Sequence, residues 1–122
     1  VHFLVPTQQV AVALADLPGA TITVSVPDGG PLPAGADRVE FYVPAFFPQA
    51  PALEAMAKMP SLRIVQAQTA GIERYLPYVP PGVALCNARG VHDASTAEWV
   101  VSVVLASVRE LPYFTSEQAA GR

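Results

Sequence analysis

Thr69, Ala70 and Gly71 are a short run of small residues that follows an apolar stretch at residues 62–68. Small side chains let backbone N–H groups approach a bound anion closely, so such a loop can hold a ligand such as a carboxylate. Gly71 can equally serve a plain strand-to-helix turn. Phe46 and Phe47 follow a third apolar run stopped by Pro44, and are either core or the apolar wall of a ligand pocket. His92, alone in the loop of residues 88–93, is either a polar surface residue or a group that touches ligand. Glu73 has no second carboxylate nearby to complete an acid/base pair, so it reads as structural. Cys86 lies inside an apolar run, which implies a buried, inert thiol. As a single cysteine it excludes an internal disulfide, and two histidines as distant as His2 and His92 give no metal-ligand spacing.

The elements that must position these residues alternate between strand and helix. Residues 2–5 form an apolar run ended by Pro6, as in a central parallel strand. Thr7 can cap a helix whose apolar positions are Val10, Val12, Leu14 and Leu17, stopped by Pro18-Gly19. Residues 21–26 alternate hydroxyl and apolar side chains, the pattern of a half-exposed or edge strand. Residues 27–35 carry turn formers at nearly every position, and their glycine pair precedes no helix start, which argues for a solvated connection and against a phosphate loop. A third strand at 39–43 leads to a helix over 49–59 with Leu53, Met56 and Ala57 inward. The fourth strand, 62–68, empties into the Thr69-Ala70-Gly71 loop. Residues 72–76 then have room for about one turn before Pro77, Pro80 and Pro81. A fifth strand at 83–87 precedes a long helix that Asp93, Ser95 or Thr96 can cap and Pro112 ends. Thr115 or Ser116 can cap a last helix. Five alternations predict a parallel sheet with helices on both faces, and the loops after the fourth and fifth strands predict a crevice.

Length and composition narrow the function classes. With 122 residues the chain can bury one core but not two full domains. Hydrophobic residues make up 52% and charged residues 14%, so some apolar surface is expected to lie against another element or partner. A net charge of −3 gives no basic footprint for nucleic acid. The longest apolar helix segment falls far short of the roughly 20 residues a membrane span needs, and residues 1–5 are too short for a signal peptide. A cytoplasmic protein, with neither membrane nor nucleic-acid partners, is the expectation.

Residues 62–111 resemble the D-isomer-specific 2-hydroxyacid dehydrogenases at the junction of their substrate and NAD domains. The resemblance rests on Leu62-Arg63-Ile64-Val65, Thr69-Ala70-Gly71-Ile72-Glu73, Pro81-Gly82-Val83, Asn87, Gly90, and Ala97-Glu98 opening a helix closed by Arg109. No single piece is specific; their order and spacing carry it. Upstream residues match in layout only. The resemblance implies a flavodoxin-like five-stranded substrate domain at residues 1–90. The hinge and first helices of a truncated NAD-binding domain would follow at 91–122, the long apolar helix belonging with that domain's missing remainder. It implies that Ala70 and Gly71 present backbone N–H groups to the carboxylate of a small 2-hydroxy or 2-keto acid; Ile72 beside them is a further substrate-binding candidate, with Phe46, Phe47 and His92 on the crevice side. Glu73 stands where the family usually has Asp, and Thr96 aligns with a position that meets the nicotinamide in some relatives. The parent enzyme would use NAD or NADP to move a hydride to or from C2. The glycine-rich fingerprint and the catalytic Arg, Glu and His would lie beyond Arg122, so no catalytic residue is expected in this chain. Alone it should hold no cofactor, bind little and catalyse nothing.

The helix at residues 98–111 is apolar on nearly all sides, more than the rest of this chain can bury; alone, the chain is expected to self-associate through it as a homodimer, by a symmetric helix pair or by exchange about the hinge at residues 88–93. The other readings are a stand-alone flavodoxin-like small-ligand-binding module and an interaction module that uses this helix. A receiver-type domain is disfavoured, because Pro6-Thr7 stands where an acidic pair would follow the first strand.

Overall fold

The computed structural model describes residues 1–25 and 30–122. Val26 and the first part of the 27–35 connection lie outside the described residues. Five short strands, β1 (His2–Val5), β2 (Thr21–Val24), β3 (Phe41–Tyr42), β4 (Ile64–Gln66) and β5 (Ala84–Cys86), form one sheet. All four pairings are parallel, and the spatial order is β2-β1-β3-β4-β5. The alternating hydroxyl strand β2 is at an edge, as its pattern implies.

Side-chain alternation gives the sheet two different faces. Leu4, Tyr42, Val65 and Leu85 are register partners across four strands. On their side lies the larger core, where Leu53, Met56, Met59, Leu62 and Tyr75 pack against them. Met56 is fully buried. The helix that supplies this layer is α2 (Ala50–Glu54), which continues as a 3-10 turn over Ala55–Lys58. The tighter winding aligns Leu53, Met56 and Met59 at intervals of three, so Met59 points inward and Ala57 is exposed, contrary to the sequence expectation.

The opposite face carries Phe3, Val5, Phe41 and Val43, packed against Ala11, Val10 and Leu14 of α1 (Gln8–Ala13) and its C-terminus. Thr7 caps α1 as expected, its hydroxyl accepting from the Val10 N–H at 3.3 Å. Val12 and Leu17, expected inward, are exposed, because the six-residue helix turns only its Val10–Ala11–Leu14 side to the sheet. α1 packs on β1 and β2. Ala84 and Cys86 lie on this same face at the far edge, beyond α1, and both are exposed. The buried thiol expected from the apolar run is therefore corrected: Cys86 is exposed.

Contacts divide the chain into Val1–Ala88 and Arg89–Arg122. The second unit holds α3 (Asp93–Val108) and α4 (Leu111–Ala119), which pack on one another. His92, not Asp93, Ser95 or Thr96, occupies the N-cap position of α3, and no side chain caps it. Glu110 adopts φ 54, the one non-glycine with positive φ among the described residues, and this turns the chain between the helices. Pro112 opens α4 instead of ending α3, as its missing N–H allows in a first turn. Thr115 and Ser116, expected as caps, donate from inside α4 to the carbonyls of Leu111 and Tyr113. No residue of α3 is buried within this chain. Among the described residues no helix is long and apolar enough to cross a membrane.

Met56 is held on all sides in the larger core. Met56→Ala is expected to lower unfolding free energy by about 2–5 kcal/mol, against less than about 0.5 kcal/mol for Val12→Ala, read as midpoints in urea titrations.

Candidate functional site

β1 leads to β2 on one side of itself, and the chain then returns to place β3 on the other. Loops leaving the carboxyl ends of β1 and β3 therefore diverge, and the crevice between them is where open α/β sheets admit ligands. A cleft of about 390 Å³ lies there. Pro6, Thr7, Gln9 and Val10 line it from the β1 side, and Ala45 and Phe46 from the β3 side. Gln68, just past β4, completes it. None of these residues carries a charge. Its volume falls within the usual range for small-molecule sites, roughly 300–1,000 Å³.

Phe46 is 42% exposed and Phe47 67% exposed, so neither is core. Their rings meet edge to face at 4.7 Å, and Phe46 forms the cleft wall while Phe47 does not line it. The Gln68 amide donates to the Pro44 carbonyl at 2.7 Å, which joins the loops after β3 and β4.

The loop directly after Gln68 is held by its carbonyls. The Ala88 N–H donates to Thr69 O at 3.0 Å, Asn87 Nδ2 donates to Ala70 O at 3.0 Å, and the Thr69 hydroxyl donates to Gly71 O at 2.7 Å. Ile72 is half-buried against the larger core and accepts from the Tyr75 N–H at 2.9 Å. The N–H groups of Ala70, Gly71 and Ile72 have no partner among the described residues. Open N–H groups in a turn are available to an anion, although no residue of this loop adopts the left-handed conformation. Gly71 is outside the left-handed region, and an added Cβ would meet only the Glu73 carboxylate end at 3.0 Å. That end belongs to a flexible side chain, so the fold itself does not require glycine here. A bound anion would need Glu73 to swing aside.

Beneath the loop, Tyr75 is fully buried and its Oη has no hydrogen-bond partner. Thr69 lies near the phenol, but its hydroxyl is committed to Gly71 O. Burial pushes the Tyr75 phenol up, with the neighbouring Thr69 and Arg74 partly offsetting it. Burial also pushes the Tyr42 phenol up to about 12, and Tyr75 adds to the rise.

No family model, curated protein or solved structure matches this chain. The site therefore rests on its own geometry.

His92 and Thr96 belong to the second unit. Both are exposed, and the His92 carbonyl accepts from Ser95 Oγ at 3.1 Å and from the Thr96 N–H at 3.0 Å. Among the described residues no group of histidine, cysteine, aspartate and glutamate could hold a metal. Pro6, Thr7 and Val10 line the cleft without having stood out in the sequence as site residues. Pro6 ending the first strand is the signal for them, but using it requires knowing that β3 lies beside β1.

The raised phenols make stability pH-dependent. Tyr42 favours the protonated form when folded, so its contribution is complete below about pH 10 and is lost as pH rises through about 12. The loss from Tyr42 alone should be on the order of 2–3 kcal/mol. Urea titrations from pH 8 to above pH 11 are expected to show this decline, and Tyr42→Phe should flatten it.

Proposed function

We propose that residues 1–90 are the substrate domain of an NAD(P)-dependent dehydrogenase acting on small D-2-hydroxy or 2-keto acids. The observation that carries this reading is the set of three unpartnered N–H groups at Ala70, Gly71 and Ile72. They lie where the resembled family receives the acid's carboxylate. The strand order β2-β1-β3-β4-β5 supports the flavodoxin-like form of that domain.

In this reading the three N–H groups hold the carboxylate and thereby orient C2, while Phe46 walls the cleft on the β3 side. The nicotinamide, when bound, supplies or accepts the hydride at C2. Thr96 is a single exposed hydroxyl on the first turn of α3 and cannot by itself hold a nucleotide. In this reading the grip on the cofactor, and the Arg, Glu and His that act on the carbonyl, come from a nucleotide domain that α3 begins.

In the intact enzyme, Gly71→Val should raise KM for the acid by about tenfold or more, the value of one or two lost charge-assisted hydrogen bonds. KM for the nucleotide should stay within about twofold. Because the fold tolerates a Cβ at Gly71, equal effects on both would return Gly71 to a plain turn.

A second reading, an interaction module, draws on α3. Trp99, Val101, Val104, Leu105 and Val108 are each more than half exposed. Apolar groups gathered on one helix mark association surfaces. The chain is expected to pair with a second copy through residues 98–111. Sedimentation velocity at micromolar concentration should give a dimer, and Val104→Glu should return a monomer.

A further inference from the structure

The cleft that Gln68 completes has an uncharged lining. Val10, Ala45, Phe46 and Pro6 present hydrocarbon, and the polar members Thr7, Gln9 and Gln68 are uncharged. A second carboxylate or a phosphate entering this space would lose hydration and find no cation among the described lining residues. A hydrocarbon branch would gain, since each methylene taken out of water is worth about fourfold in affinity. Gln68 is the last lining residue before Thr69, and its amide is fixed to Pro44 O. The cleft and the loop are thus consecutive along the chain and share one edge of the sheet.

We propose that this cleft takes the side chain of the acid, and that the substrate class is 2-oxo and 2-hydroxy acids with an uncharged, branched or otherwise bulky apolar side chain, against dicarboxylates and phosphorylated acids. This rests on the reading that Ala70, Gly71 and Ile72 hold the acid's carboxylate. The volume of about 390 Å³ leaves room for a branched side chain that glyoxylate and pyruvate lack. Phe46 is the specificity-determining residue on the β3 side; its partial exposure means that trimming it does not open the core.

The test is a nitrogen-15 and methyl NMR titration of this chain with three probes: 4-methyl-2-oxopentanoate, 2-oxoglutarate and the ketone 4-methylpentan-2-one. The expected result is that 4-methyl-2-oxopentanoate shifts Val10, Ala45 and Phe46 together with Ala70, Gly71 and Ile72, and binds about tenfold or more tighter than 2-oxoglutarate. Phe46→Ala should weaken 4-methyl-2-oxopentanoate by about fivefold or more and leave 2-oxoglutarate within about twofold. Equal or tighter binding of 2-oxoglutarate, or an unchanged cleft with every probe at tens of millimolar, overturns the proposal. If the ketone shifts the cleft while neither acid shifts the 70–72 amides, the apolar preference stands and the carboxylate site falls. If both acids shift those amides but none of the probes shifts the cleft, the carboxylate site stands and this inference falls.

Discussion

The pairing of β1 with β3 is the constraint on which the rest depends. Only Phe3 with Phe41 and Leu4 with Tyr42 are in register there, yet this short seam lies between the two packing layers of the first unit. Leu4 and Tyr42 face the methionine-lined core, and Phe3 and Phe41 stack at 5.1 Å toward α1. A slip of one residue would turn Leu4 or Tyr42 away from the α2 layer and put Phe3 or Phe41 in its place, breaking the bond that the Tyr42 hydroxyl donates to Ala52 O. The same seam sets β1 and β3 side by side although β2 separates them in sequence, and that separation opens the cleft.

Much of the fold was legible from residue order because local rules and tertiary context agreed. Pro6 ends β1, Thr7 caps α1, and the hydroxyl alternation of β2 marks an edge. The failures came where a local rule had two outcomes. Pro112 breaks a helix interior but suits a first turn, and Glu110 supplies the left-handed residue that lets α4 start. Leu53, Met56 and Met59 fit a three-residue period that, over so short a stretch, differs little in sequence from an ordinary helical one. Cys86 lies in an apolar run, but at the far edge of a sheet face that α1 does not reach.

The site was legible in part, and for a clear reason. Small residues after β4 draw attention to Ala70 and Gly71, because loop chemistry is local. Its more specific feature, carbonyls engaged and N–H groups open, depends on Asn87 and Ala88, which a one-dimensional reading cannot set against the loop. The cleft depends on strand order, which periodicity does not encode. Phe46 could be named but not assigned between core and wall until its neighbours from the β1 side were known.

Asn87 and Ala88 have one more consequence. They are the last residues of the first unit, the place where the chain leaves the sheet. Asn87 Nδ2 and the Ala88 N–H are also the donors that grip the Ala70 and Thr69 carbonyls. The end of the first unit and the loop after β4 are thus clamped together by two bonds across a gap of many residues in sequence. A change at Asn87 therefore alters at once the end of the first unit and the backbone that carries the Ala70 and Gly71 N–H groups.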